Sequence, residues 1–364
     1  MFITLICLLL LVTMAVYAFM QRPEFGKKPS SAQVEAFRKS DNYLGGSFQN
    51  LSVTPSLAKD ANMVSVLYRF FFKKNPRKKP HGVLPSEKTD LKSLRPDENV
   101  IIWFGHSSYF LQLDGKKFLV DPVFSGAASP IPSTTRSFIG SDVYTAEDMP
   151  DIDVLFITHD HWDHLDYDTV LKLKPKIKQV ATGLGTGNHL RAWGYEPTAI
   201  LELDWWEHGY LTSGFKVHAT PARHFSGRGS KRNGTLWTSF VLETPSRKIY
   251  LGGDSGYDTH FAEIGEKLGP FDLAILECGQ YNADWRYIHM MPGQWSAAAR
   301  DLRAQAVLPV HWAKFALALH DWDEPIETIT TEFESGTIPL WTPMIGEKVD
   351  FDNRFPFAHW WKGL

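Results

Sequence analysis

Three histidines and an aspartate occur within one short stretch of the chain, as His159, His161, Asp163 and His164. The residues before them, 153–157, form an apolar run that is typical of a buried strand. The cluster is therefore expected at the rim of a sheet, where active sites usually form. Imidazoles and carboxylates are ligands for zinc, iron or manganese. Solvated loop histidines are the alternative, but four ligand-type side chains at this spacing favour a metal site.

Three later strand-like segments each lead to one more side chain that can bind a metal. Segments 214–220, 248–251 and 306–310 are followed by His224, Asp254 and His311, respectively. Any one of these residues alone would be an ordinary polar residue at a strand end. Their order after the first cluster indicates that they complete the same site.

Eight segments together carry a resemblance to a known family: 102–108, 118–124, 159–166, 223–226, 233–237, 253–257, 287–289 and 309–312. They resemble the metallo-β-lactamase superfamily, and within it the N-acylphosphatidylethanolamine-hydrolysing phospholipase D group and its bacterial relatives. The resemblance covers most of the chain, from about residue 95 to about residue 325. It implies an α/β fold, namely an αββα four-layer sandwich built from two similar β-α halves.

The resemblance also implies two zinc ions per chain. It assigns one ion to His159, His161 and His224, the other to Asp163, His164 and His311, and a bridging position to Asp254. Two such ions, about 3.5–4 Å apart, bring the pKa of a bridging water to near neutrality, which yields a bridging hydroxide, and draw charge from a phosphoryl or acyl oxygen. We therefore expect metal-assisted hydrolysis, and no Gly-x-Ser-x-Gly motif indicates a serine nucleophile.

Five further polar residues are expected to support the reaction. Asp121 resembles the aspartate that orients a ligand histidine in this family, and His106 lies in a turn that the family places beneath the metals. His289 resembles a histidine near the reacting group, where it could act as a general acid or bind a phosphate oxygen, although a surface histidine is an equal alternative. Arg223 and Arg228 are candidates for binding phosphate, with structural ion pairs as the alternative.

The amino terminus contains the second informative feature. Residues 2–20 carry no charge and, at about 1.5 Å of rise per residue, reach roughly 28 Å, about the thickness of the hydrocarbon core of a membrane. No Lys or Arg precedes this run, whereas Arg22, Lys27 and Lys28 follow it. This pattern favours an uncleaved single-pass anchor with the catalytic domain in the cytoplasm. A cleaved signal peptide, which would leave the protein secreted or periplasmic, is the alternative.

The expected domain order is an anchor at 1–21, an amino-terminal arm at 22–95, the hydrolase domain at 96–345 and a carboxy-terminal tail at 346–364. Within the arm, the apolar aromatic residues 63–72 precede a basic cluster at 73–79. This combination suits docking on an anionic bilayer. A helix packed on the domain, with a solvated basic end, is the alternative.

These features predict a zinc-dependent phosphodiesterase that acts on N-acylphosphatidylethanolamine-like lipids or a small phosphodiester, and the relatives imply a homodimer. A lactonase or thioesterase of the same superfamily would keep the same ligands and differ only in its pocket. A non-enzymatic metal-binding membrane protein would be expected to lack some ligands, and all seven are present. The net charge of −3 gives no basic field for nucleic acid, so a nuclease is not expected.

Overall fold

The computed structural model describes residues 2–211, 214–352 and 356–364. Its α-helices are α1 (Phe2–Met20), α2 (Ser31–Phe37), α3 (Met63–Phe72), α4 (Tyr167–Leu173), α5 (Gly187–Ala192), α6 (His260–Leu268), α7 (Trp295–Asp301) and α8 (Glu324–Glu334). Its strands are β1 (Tyr43–Leu44), β2 (Ser47–Phe48), β3 (Val100–Trp103), β4 (Tyr109–Leu113), β5 (Lys116–Val120), β6 (Ile152–Ile157), β7 (Ile177–Gly183), β8 (Ile200–Leu203), β9 (His208–Tyr210), β10 (Lys216–Thr220), β11 (Ser239–Glu243), β12 (Lys248–Leu251), β13 (Leu273–Glu277), β14 (Val307–Val310) and β15 (Lys348–Asp350).

Two mixed sheets make up the centre of the molecule. One has seven strands in the order β15-β3-β4-β5-β6-β7-β8, and the other has six in the order β14-β13-β12-β11-β10-β9. In the first sheet β5, β6, β7 and β8 run parallel, and in the second β12, β13 and β14 do so. Parallel strands end at the same edge of a sheet, so residues that follow them are brought together.

The central strands, such as β3, β6, β13 and β14, bury both faces because their apolar residues are continuous rather than alternating with polar ones. In β6, Val154 and Phe156 face the core between the two sheets, whereas Leu155 and Ile157 face α4 and α5 on the outside. Residues from α6, α7 and α8 pack with the second sheet. The order of layers is therefore helix, sheet, sheet, helix, and the predicted αββα sandwich is confirmed.

Segments on both sides of the predicted hydrolase domain, 96–345, pack with it. The segment after residue 345 contributes β15, which pairs antiparallel with β3, and Trp361 is completely buried against the main core. The arm is also integrated into the domain, because Phe37 and Phe48 pack with Trp205 and Trp237. Such contacts join residues that are far apart in the chain. The pattern of apolar residues within a short polar segment does not predict them.

Helix α1 is long and apolar enough to cross a membrane, with a mean hydropathy of 2.6 over its most apolar window, and none of that window is buried. A signal sequence near the amino terminus has the same length and composition. The structure therefore agrees with an apolar amino-terminal helix that is either a membrane anchor or a signal sequence.

Candidate metal centre and its cavity

The ends of the strands position the candidate metal ligands. His159 follows β6, Asp254 follows β12, and His311 is the first residue after β14. Three residues of the centre adopt left-handed backbone, His106 at φ 53°, Asp121 at φ 42° and His311 at φ 71°. Such conformations are uncommon outside glycine and concentrate where the surrounding structure fixes a functional side chain.

The first of two groups of side chains brings together His159, His161 and His224, as the resemblance implied. One ligand atom from each lies within 4.8 Å of the others. His161 Nδ1 is 2.9 Å from His159 Nε2 and 3.2 Å from His224 Nε2. His224 donates its Nδ1–H to the Ile288 carbonyl oxygen at 2.9 Å, which leaves Nε2 free to act as a ligand.

The second group contains Asp163, His164 and His311, together with His106. His106 Nε2 lies 2.9 Å from Asp163 Oδ2, and the His106 ring packs on the His311 ring with centroids 4.1 Å apart. The family resemblance implied a position for His106 beneath the metals. The structure brings it into direct contact with a predicted ligand, so it can orient the Asp163 carboxylate.

Asp254 lies between the two groups. Its Oδ2 is 3.2 Å from His164 Nε2 and 3.7 Å from His224 Nε2, whereas Oδ1 is 3.2 Å from His311 Nδ1. A single carboxylate therefore contacts histidines of both groups. This is the position required of a ligand shared by two ions.

The donor set suits divalent metal ions. His164 Nε2 and Asp254 Oδ1 are buried and have no hydrogen-bond partner within the described chain, although buried polar atoms are normally paired. Burial lowers the pKa of His159 and of His224 well below its usual value, so both rings are neutral and can donate a lone pair. Imidazole nitrogens and carboxylate oxygens without a thiolate suit zinc, iron or manganese.

Asp121 holds one of these rings in place. Its Oδ2 accepts hydrogen bonds from His164 Nδ1 at 2.8 Å and from Thr158 Oγ1 at 2.7 Å, and its Oδ1 accepts from the Thr158 backbone N–H at 2.9 Å. The carboxylate fixes the tautomer of His164 and leaves Nε2 directed at Asp254. The orienting role expected of Asp121 therefore applies to His164.

His289 and Glu277 form a buried pair beside the centre. His289 lines the cavity, and its Nδ1 is 3.7 Å from Glu277 Oε2. Burial lowers the pKa of His289, but the nearby Glu277 carboxylate raises it by more, so that the net shift is upward. Burial raises the pKa of Glu277 to about 7. His289 also lies close enough to His224 and Asp254 to be a further ligand. Glu277 was not predicted, because it is a single carboxylate at the end of an apolar strand.

The two arginines suggested by the sequence lie in different surroundings. Arg228 is buried, donates from one terminal nitrogen to the carbonyl oxygens of Asp160 and Leu165, and stacks on Trp162 at 3.9 Å. These contacts brace the loop that carries His161, Asp163 and His164.

Arg228 also connects this loop to the segment that follows α1. Its Nε donates to the Glu24 carbonyl oxygen at 2.8 Å, and Phe25 packs edge-on against Trp162. Arg223 likewise bridges to the arm by donating to the Val53 carbonyl oxygen and to Thr54 Oγ1. Both arginines thus contact protein groups that fix the position of the metal-ligand loops.

A cavity of about 210 Å³ opens above the centre. Its floor includes His161, Asp163, Asp254 and His311, and its walls include Leu57, Met63, Val66, Trp285, Ile288 and Leu317. Arg232, which sequence reasoning passed over, is the arginine in this lining; it donates to Ser56 Oγ at 2.9 Å and lies over the Phe225 ring. Arg232 lies in the same loop as Arg223 and Arg228. Its position in that loop was the one sequence feature that could have identified it.

Comparisons with known proteins show the family to which the chain belongs. The family model described as a beta-lactamase superfamily domain matches residues 116–312. An uncharacterised protein of Mycobacterium tuberculosis is 34% identical over 328 residues, covering 89% of this chain and 88% of that protein. The N-acyl-phosphatidylethanolamine-hydrolyzing phospholipase D 1 of Caenorhabditis elegans is 32% identical over 280 residues, covering 69% of this chain and 77% of that protein.

A solved structure supports the fold. Igni18, described as a metallo hydrolase from the archaeon Ignicoccus hospitalis, superimposes with a TM-score of 0.53 at 22% identity, covering 71% of this chain and all of that one. The chain belongs to the metallo-β-lactamase superfamily. It is a metal-dependent hydrolase of that superfamily, with a His/Asp cluster able to bind metal.

Proposed function

We propose that the chain is a membrane-anchored hydrolase with two zinc ions that cleaves the phosphodiester bond of a lipid such as N-acylphosphatidylethanolamine. The observation that carries this proposal is the wall of the cavity. Leu57, Met63 and Leu317 line the space directly above the His/Asp floor. An apolar wall over a charged floor suits a substrate that joins an acyl chain to a phosphate.

The phospholipase D relatives point in the same direction. Two curated relatives named for hydrolysis of N-acylphosphatidylethanolamine, from Caenorhabditis elegans and Saccharomyces cerevisiae, each align with 69% of this chain at 32% and 31% identity. The amino-terminal helix α1 would keep the enzyme at the surface where such lipids lie. Arg22, Lys27 and Lys28 follow that helix, which favours a cytoplasmic catalytic domain.

The zinc ions, when bound by the seven ligands, would supply an activated water and polarise the phosphoryl oxygen. The chain's own residues then have three tasks. His289, held by Glu277, is placed at the cavity to donate a proton to the leaving oxygen or to hold a phosphoryl oxygen. Asp121 and His106 keep His164 and Asp163 oriented, and the apolar wall excludes water from the site.

The test compares substrate classes on the zinc-loaded full chain in detergent. N-acylphosphatidylethanolamine in mixed micelles, a short-chain soluble phosphodiester, a lactone and a thioester are each assayed for kcat/KM. We expect the lipid to be the best substrate and to yield phosphatidate and an N-acylethanolamine. Faster turnover of the lactone or the thioester would instead establish the alternative activities.

Variants of the wall provide a matched control. Met63→Gln and Leu317→Gln should lower kcat/KM for the long-chain lipid by about ten-fold each, because roughly 1–3 kcal/mol of apolar contact is lost. Turnover of the short-chain phosphodiester should change little, since neither side chain belongs to the metal-binding floor. An equal loss for both substrates would show that the wall does not hold an acyl chain.

A further inference from the structure

The outer face of α3 is unusually apolar for a surface helix. Val64, Tyr68 and Phe72 are 75%, 64% and 72% exposed, and Leu67 and Phe71 are exposed beside them. Single exposed apolar residues are ordinary, whereas a contiguous patch of this kind marks an interaction surface. Only Val66 of this helix is buried.

The inner side of the same helix is firmly held. Asn62 caps its first turn by accepting hydrogen bonds from the Val64 and Ser65 backbone N–H groups. Arg69 forms an ion pair with Asp284, and Met63 and Val66 line the cavity above the metal centre. The helix is therefore part of the cavity wall, and its apolar outer face is presented by a fixed scaffold.

A second, basic cavity lies at the carboxyl end of α3. It has a volume of about 370 Å³ and is lined by Arg69, Lys73, Lys74 and Lys78, with Asp321 as the acidic residue among its lining. Asp321 already pairs with Arg77, and Arg69 pairs with Asp284. Lys73 and Lys74 are exposed, and their side chains make no ion pair or hydrogen bond within the described chain.

We propose that the outer face of α3 and this basic cavity form one docking surface for an anionic phospholipid bilayer. The aromatic and aliphatic side chains would enter the headgroup and acyl boundary, as those of interfacial helices do, by about 5–10 Å. The phosphate of a neighbouring anionic lipid would occupy the basic cavity, where Lys73 and Lys74 provide uncompensated positive charge. The chemistry of this surface, apolar in the middle and cationic at one end, matches that of an anionic leaflet.

This inference rests on the proposed lipid substrate and adds to it a route of entry. Since α3 carries the exposed apolar face and also lines the cavity with Met63 and Val66, a lipid leaving the leaflet would reach the metal centre past this helix. The enzyme would then act preferentially on anionic membranes, even when its substrate is present at the same density in a neutral one.

The experiment measures the position of α3 in the full chain reconstituted in vesicles. Phe71→Cys carries a spin label in a Cys7→Ser background, where Cys278 is buried and does not react. The vesicles contain phosphatidylcholine alone or mixed with phosphatidylglycerol. In the anionic vesicles we expect the label to lie in the bilayer. It should therefore collide more often with oxygen, which concentrates in the bilayer, than with a water-soluble nickel complex. A label at Tyr210→Cys, an exposed position on β9, should remain in water in both.

Charge reversal provides the second arm. Lys73→Glu with Lys74→Glu should lower the ratio of docked to undocked α3 by more than about 25-fold, because the loss of each lysine alone accounts for about five-fold and each new carboxylate is repelled by the anionic surface. High salt should have a similar effect because it screens exposed charges. Unchanged docking in these variants would overturn the role of the basic cavity.

Two other outcomes would overturn the proposal itself. A Phe71 label that stays in water in anionic vesicles would show that the surface does not contact the bilayer. Dipolar broadening between labels, independent of lipid composition and salt, would show that a second copy of the chain covers α3. Because Asp163→Asn protein should dock as the native chain does, failure of docking is distinguishable from failure of the proposed activity.

Discussion

Replacing Asp121 by Asn tests whether a residue outside the ligand set controls metal binding. The Asp121 carboxylate is buried and accepts three hydrogen bonds of 2.7–2.9 Å, two from Thr158 and one from His164. Asparagine keeps the volume and can still accept the Thr158 backbone N–H. Its amide nitrogen, however, would face the His164 N–H and the Thr158 hydroxyl, so at least one charge-assisted bond is lost.

The expected magnitude follows from that loss. A hydrogen bond to a charged group contributes about 1.5–3 kcal/mol. Partners that orient a ligand histidine typically change metal affinity by about 10–100-fold, which corresponds to about 1.4–2.8 kcal/mol. We therefore expect zinc affinity, measured by competition with a chromophoric chelator, to fall within that range in the full chain.

Asp166 offers a matched control. It is also a buried carboxylate with three donors, the Phe124 and Ser125 backbone N–H groups and the Thr169 hydroxyl, and burial raises its pKa as it does that of Asp121. None of those donors belongs to a predicted ligand. Asp166→Asn should lower the melting temperature of the metal-free protein without changing zinc affinity. Equal losses of zinc affinity in the two variants would refute the orienting role of Asp121.

The remaining predictions concern the metals, the loop that holds them and the membrane. Elemental analysis of freshly purified protein should give close to two ions per chain, and His311→Ala should lose mainly one; a value near one after zinc reconstitution contradicts the two-ion site. Asp163→Asn should lower turnover by orders of magnitude while stability changes by less than about 3 kcal/mol, and simple unfolding would show a structural site instead. Arg228→Met should destabilise the fold, since each carbonyl left unpaired costs about 1–3 kcal/mol. It should also accelerate the loss of zinc to a chelator, and unchanged zinc release would show that Arg228 does not stabilise the metal-binding loop. The full chain should resist alkaline carbonate extraction and a chain lacking residues 1–21 should keep its soluble-substrate turnover; recovery of a mature protein that begins after Ala18 would favour signal cleavage.

Much of the centre could be predicted because its ligands carry local signals. His159, His161 and His224 come together as the resemblance implied, and Asp254 lies between them and His311. Their types are chemically distinctive, and each follows an apolar run that is recognisable as a strand. By contrast, Glu277 gave no such signal, because its role depends on the ring of His289 from another loop.

The carboxy-terminal segment shows the same limit. Its edge strand is only three residues long, and it belongs to the domain because β3, far away in the chain, offers an unpaired edge. Trp361 likewise becomes core because it packs against Trp312, the residue after the predicted ligand His311. Periodicity within a short segment contains no information about such partners.

By itself, the sequence determined the superfamily, the kinds of atoms that can bind metal, and an apolar amino-terminal helix, since these follow from residue type and local spacing. Tertiary structure alone decided that Arg228 braces the loop carrying Asp163 rather than lining the cavity, that α3 forms a wall of that cavity, and that its apolar face remains uncovered. The physical reason is that a side chain acts through what it contacts. Those contacts are made between residues as far apart as Glu24 and Arg228, which only the packing of two sheets and the arm brings together.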